Sequence, residues 1–238
     1  MIFKWFKDRA KEFLFQKTRP NTFSQCGEDV IVKFLFDGKG ISRPSYLDLG
    51  TNQPSWGNNT YLFYLCGSCG VCVEADESLT AEISRIRPRD KVLNLGVGFD
   101  LKTEADFYIF DQPAINTFDR DQALLRTESG VHKIIKVSRV KLEPISEIIS
   151  KYCEGIPDFL SLDIEGLDYV ALCSLDLGKF PIPVICVETC NYSEDFEKQK
   201  EKPIFIYMES AGYFPYADTY VNTIFVNKSW FSGRTTVQ

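Results

Sequence analysis

Four short apolar runs in this chain each end on or beside an acid, and nothing else in the sequence constrains the fold as tightly. They are Tyr46–Leu49 with Asp48 inside it, Val71–Val73 followed by Glu74, Phe159–Leu162 followed by Asp163, and Val184–Val187 followed by Glu188. Each has the length of a buried strand, and helical patterns separate them at 58–66, at 78–87 (closed by Pro88) and at 167–174. Val92-Leu93 opens a further strand, and 103–110 and 134–142 read as two added ones, the second running into a helix near Pro144. The segment 195–211 reads as mostly helical with an interruption at Pro203, and Tyr213–Ala217 and Thr223–Val226 read as a closing pair of strands. Strands alternating with helices predict an α/β fold, a mostly parallel sheet covered on both faces. The expected partition is one domain over 24–238 behind a helical extension over 1–23, and 238 residues suffice for such a core.

Charge narrows the partners. The net charge is −6, so nucleic acid is not an expected partner. Residues 1–20 nevertheless carry a net +4, leaving −10 on the rest. In that opening stretch Ile2, Phe3, Trp5, Phe6, Phe13 and Leu14 fall on one helical face, with Lys4, Asp8 and Lys11 opposite; Arg9 and Phe15 break the pattern and Pro20 ends it. Such a helix either packs on the body of the domain or a second copy, or lies on an anionic membrane surface as a peripheral anchor. Without a signal peptide pattern or an 18-residue apolar run, the expected location is cytoplasmic, with the eight cysteines reduced. Cys72, Cys173 and Cys186 sit in apolar runs and read as small hydrophobes. Cys66, Cys69 and Cys72 have partial metal spacing, but a helix end, a turn and a strand should not bring their side chains together.

In an open α/β sheet ligands bind beyond the carboxyl ends of the strands. The first such end reads Asp48-Leu49-Gly50-Thr51-Asn52-Gln53-Pro54. A pyrophosphate-binding turn would carry three glycines, and here only Gly50 fits. The turn instead suits a ligand with an amino-acid portion, Asp48 supplying a carboxylate and Asn52 an amide. Glu74 is placed to accept hydrogen bonds from ribose hydroxyls, or merely to cap the next helix. Asn94-Leu95-Gly96-Val97-Gly98 lies where an adenine edge would come. Asp163, Glu165 and Glu188 converge at neighbouring strand ends, where one can act as general base towards a hydroxyl. Asp163, Glu188 and Asn191 form an alternative oxygen-ligand set for a divalent cation, which is not expected. His132, the only histidine, reads as a loop residue.

At this point the chain resembles the FkbM-type methyltransferases, a branch of the Rossmann-like class I enzymes that use S-adenosylmethionine (SAM). Five segments carry the resemblance: Ser24-Gln25-x-Gly27-Glu28-Asp29, Tyr46–Asn52, Asn58–Tyr64, Gly70–Ala75 and Phe159–Gly166. The resemblance implies a seven-stranded sheet and methyl transfer from SAM, usually to a hydroxyl of a sugar, glycan or polyketide. It implies that Asp48, Gly50, Asn52 and Glu74 line the SAM site, that Asp163 and Glu165 lie near the acceptor, and that Gln25 and Glu28 close over the site. Thr51 stands where the family usually has Ala, and Cys69 where it often has Trp. Rival expectations are a silent SAM-binding scaffold, an NAD-dependent oxidoreductase and an N-methyltransferase. The acceptor, a small molecule or a glycan, should be shaped by 99–142, rich in Phe107, Tyr108, Phe110, Asp111, Phe118 and Asp119.

Overall fold

The computed structural model describes residues 22–128, 130–164, 166–190, 200 and 202–233. The expected amphipathic segment 1–20 lies outside them, as do Glu165, Asn191 and most of 195–201.

Seven strands form the main sheet: β1 (Tyr46–Leu49), β2 (Gly70–Val73), β3 (Lys91–Leu93), β7 (Phe159–Leu162), β8 (Val184–Glu188), β9 (Tyr213–Asp218) and β10 (Asn222–Asn227). Their order is β3-β2-β1-β7-β8-β10-β9. Neighbours pair in parallel except β10, which runs antiparallel to β8 and β9. The α/β, mostly parallel seven-stranded sheet with helices on both faces is therefore as expected. The chain moves outward from β1 to β3, then returns to β7 on the other side of β1. That reversal is the switch point where open α/β sheets bind ligands.

Both faces of the central strands are apolar, so alternate residues enter two cores. Leu47, Leu49, Val71, Val73, Leu160, Leu162, Ile185 and Val187 pack on one face. Against them lie α5 (Ile145–Tyr152), α6 (Asp168–Ser174) and α7 (Lys202–Ser210). Tyr46, Cys72, Phe159, Val184 and Cys186 face the other way, under α1 (Glu28–Gly38), α2 (Tyr61–Leu65) and α3 (Glu77–Ile86). Cys72 and Cys186 are fully buried, as hydrophobes should be; Cys173 is exposed because its helix turns that residue to solvent. Pro203 does not interrupt α7 but sits in its first turn, where its missing N–H costs nothing.

Between β3 and α5 the chain builds a second, three-stranded sheet in the order β4-β6-β5, from β4 (Gly96–Gly98), β5 (Glu104–Phe110) and β6 (Ile134–Pro144). The helix α4 (Arg120–Glu128) follows β5. Phe107, Ile109 and Val140 pack with Phe118 and Ala75, tying this layer to the end of β2. A final short helix, α8 (Lys228–Ser232), sets Trp230 edge-on to Phe36.

Candidate active site

A cleft of about 920 Å³, open mouth included, lies at the carboxyl ends of β1, β2 and β7. Gly50, Thr51 and Asn52 from the turn after β1 line it, with Glu74 from β2, Asp163, Ile164 and Leu167 from the turn after β7, and Gln25 and Gly57 from flanking segments. Leu79, Leu95, Val97, Phe107 and Phe118 give it one apolar wall.

The turn after β1 exists because of its glycine. Gly50 has φ +80°, and a Cβ there would lie 1.8 Å from the carbonyl oxygen of Asp163. Any side chain would push β1 and β7 apart at the switch point. The Gly50 and Thr51 amides both donate to the Val73 carbonyl, at 3.0 and 3.2 Å, which pins the turn to the end of β2. Thr51, in place of the usual Ala, is buried and donates its hydroxyl to the Asp48 carbonyl at 3.2 Å. Asn52 takes a left-handed φ of +50°, and its amide donates to Glu74 Oε2 at 2.8 Å.

Glu74 closes the same bond from the other side. Its Oε1 accepts the Asp76 amide at 2.8 Å, and Asp76 in turn caps α3 by accepting the Ser78 amide. Glu74, so held, lines the cleft. Burial pushes the carboxyl up to about 7, against the Asp76 and Asn52 amides that pull it down and with the Asp76 charge that adds to the rise.

Asp48 does not line the cleft. Residues alternate along β1, so its side chain points into the core under α2, opposite to the turn that follows it. There it is the counter-ion of a wholly buried arginine, Arg87, whose Nη1 lies 3.8 Å from Asp48 Oδ2 and whose Nε donates to Asp90 at 2.7 Å. Thr60 donates its hydroxyl to Asp48 at 2.7 Å and accepts Arg87 Nη2 at 2.9 Å. The rings of Tyr46, Tyr61 and Tyr64 surround the guanidinium at 5.4–6.0 Å. Burial raises the Asp48 carboxyl although Arg87, Thr60 and Asn58 pull it down.

The other sequence-predicted residues divide in the same way. Gln25 reaches the cleft. Glu28, from the same opening motif, is instead an anchor: it accepts the Cys26 amide at 2.8 Å, the Thr219 hydroxyl at 2.6 Å and the Asn222 amide group at 3.2 Å. Burial raises its carboxyl, and those hydrogen bonds outweigh burial and hold it below the ordinary value. Asn94 is turned from the cleft and donates to the Glu74 and Ala75 carbonyls, both at 3.0 Å, so Leu95, Gly96 and Val97 meet the ligand space instead. Asp163 lines the cleft; Glu188, at the end of the next strand, does not. Among the described residues no group of three His, Cys, Asp or Glu is arranged to hold a metal ion. Cys66 and Cys69 are exposed at the end of α2 and in the following turn, away from the buried Cys72. His132 sits in a loop with Nδ1 3.8 Å from Asp111, outside the cleft.

Three residues unread in the sequence matter here. Arg87 gave no signal, being one cation between Ile86 and Pro88. Asn58 stands in the Asn58–Tyr64 segment, where the sequence alone gives it no role. Asp168, buried, accepts the Ile164 amide at 3.0 Å and the Gly166 amide at 3.2 Å, and so shapes the turn that presents Asp163. Burial first, then the neighbouring Asp163 charge, raises the Asp168 carboxyl well above the ordinary range.

Solved structures show distant likenesses. A magnesium protoporphyrin IX methyltransferase from Synechocystis PCC 6803 with bound SAM is 10% identical, covering 84% of this chain and 77% of that one, with a TM-score of 0.44. An O-methyltransferase from Bacillus cereus in complex with SAH is 13% identical over 92% of this chain and 88% of that one, with a TM-score of 0.42. A 1,6-didemethyltoxoflavin-N1-methyltransferase from Burkholderia thailandensis is 12% identical over 84% and 74%, with a TM-score of 0.41. No curated protein matches. The model of the methyltransferase FkbM domain matches residues 48–215, from the strand that carries Asp48 to the hairpin that closes the sheet. That span takes in the Gly50 turn, Glu74 and Asp163 together, and the chain belongs to the FkbM methyltransferase family.

Proposed function

We propose that this chain is a SAM-dependent O-methyltransferase whose acceptor is a hydroxyl on a sugar, glycan or related metabolite. One observation carries the reading. Glu74 and Asp163, from the strands on either side of β1, line a single cleft with the Gly50 turn between them.

The cleft fits an adenosine-bearing amino acid. Glu74 offers a carboxylate to the ribose hydroxyls, and the apolar wall of Leu79, Leu95, Val97, Phe107 and Phe118 suits a purine. A turn with one glycine offers few close amides to a pyrophosphate, which disfavours NAD. When bound, SAM supplies a methyl carbon on a sulfonium, so the C–S bond breaks as the acceptor C–O bond forms and sulfur leaves with the electron pair. The protein's share is alignment and proton removal. Asp163 is the base: its carboxylate takes the proton of the acceptor hydroxyl as the new bond forms. Glu188 does not line the cleft and takes no part in this scheme. No divalent cation is required by this scheme.

Calorimetric titration with S-adenosylhomocysteine (SAH) and, separately, NAD tests the reading. Micromolar SAH binding that Glu74→Ala abolishes supports it; binding of NAD alone overturns it. The acceptor then follows from a screen of hydroxylated compounds for SAH release. A lipid-linked acceptor would give the basic segment 1–20 its use as a peripheral membrane anchor. Liposome co-sedimentation unchanged on deleting those residues would remove that part. Among the described residues no helix is long and apolar enough to cross a membrane.

A further inference from the structure

The loop of Asn52–Gly57 contributes Asn52 and Gly57 to the lining of the cleft and leaves Trp56 half-exposed. Its two ends are Thr51 and Asn58, and they are joined across the base. Asn58 Nδ2 donates to the Thr51 carbonyl at 3.2 Å and to Asp48 Oδ2 at 3.1 Å. Asn58 Oδ1 accepts the Thr60 and Tyr61 amides at 3.0 and 2.8 Å, satisfying the start of α2, and accepts Arg87 Nη1 at 3.2 Å. Its backbone amide donates to the Phe23 carbonyl at 3.0 Å, on the segment that carries Gln25 into the cleft. Asn58 is itself buried, at 3% exposure. One side chain therefore spends its hydrogen-bonding positions on four partners: the turn after β1, the β1 carboxylate, the start of α2 and the arginine that follows α3.

We propose that Asn58 is a positioning residue for the cofactor site, closing the base of the 52–57 loop onto Thr51 and fixing that loop to the buried Asp48–Arg87 pair. It touches no ligand. Its link to Thr51 sets where Asn52 and Gly57 stand, and its link to Arg87 gives the loop a rigid footing. This inference rests on the cofactor reading above for its ligand, though not for its loop.

The charge swap separates this role from general stability. Asn58→Asp keeps the acceptor for α2 and Arg87 but loses both donors and faces the Asp48 carboxylate. Adding Asp48→Asn restores a donor–acceptor contact between 48 and 58 with its polarity reversed and the charge near Arg87 conserved, while the Thr51 carbonyl stays without its donor. The expected result is that the double variant regains most of the thermal stability lost by Asn58→Asp, yet binds SAH about tenfold more weakly than the parent, as fits one lost hydrogen bond. Hydrogen exchange of amides in 52–57, measured without ligand, should be about tenfold faster in both variants. SAH affinity within twofold of the parent in either variant, with unchanged exchange, overturns the proposal. So does an affinity that returns together with stability in the swap. If the parent binds no SAH, the cofactor reading fails, and the exchange of 52–57 alone decides the role of Asn58.

Discussion

The carbonyl oxygen of Asp163 lies 1.8 Å from where a side chain on Gly50 would begin. The two strands that flank the switch point meet at that contact, so the floor of the cleft tolerates no β-carbon. Gly50→Ala should therefore cost about 3 kcal/mol or more, joining left-handed strain to a backbone clash. Urea unfolding checks the stability, and SAH titration of the folded fraction should show binding lost.

On the proposed reading, Glu74 should make SAH binding pH-dependent. Burial pushes its carboxyl up to about 7, and the anion is the form that accepts hydroxyl donors while holding the Asn52 and Asp76 amides. Affinity should fall as pH drops below about 7, and Glu74→Gln should bind weakly at every pH with that dependence flattened. The same rise affects stability with the opposite sense. The folded carboxyl binds its proton more tightly than the unfolded one, so its contribution is fully present below the unfolded value of 4.5 and is lost as pH rises towards 7. Glu74→Gln should remove that slope in urea titrations across this window.

Arg87 and its two aspartates form a buried ion network. Arg87→Met leaves two carboxylates without their cation and should cost about 3–5 kcal/mol. Adding Asp48→Asn should recover part of the loss, because the second change removes a stranded charge. Thermal unfolding of the single and double variants gives the coupling directly.

Glu28 holds the opening segment against the β9–β10 hairpin. Its carboxyl is held below the ordinary value, so its contribution is present above about pH 4.5 and is lost as pH falls through its lowered folded value. Glu28→Gln should cost about 1–2 kcal/mol at neutral pH. Limited proteolysis should cut the variant faster near residues 22–27 than the parent.

Asp163→Asn tests the base. SAH affinity should stay within about threefold, while SAH release with any accepted hydroxyl compound falls at least about a hundredfold. Equal losses in binding and turnover would instead make Asp163 a part of the cofactor floor.

The sequence alone determined the periodic features. Runs of three or four mostly apolar residues between helical stretches have one economical solution, a parallel sheet buried on both faces, and β1, β2, β7 and β8 stand where those runs are. The strand-end rule then selected Gly50, Glu74 and Asp163 as residues that share a cleft, because position at a strand end is a local property. What the tertiary structure decided is direction and pairing. Asp48 sits one residue from Leu49 and two from Gly50, yet alternation along β1 turns it into the opposite core, where only folding brings Arg87 from 39 positions away. Glu28 and Asn94 likewise carry polar groups of the right kind at motif positions, but their partners, Thr219 and Asn222 for one and the end of β2 for the other, are set by contacts between segments. A residue's chemistry is written in the chain; which neighbour satisfies it depends on long-range packing, and in this protein that packing separates the residues that build the site from those that line it.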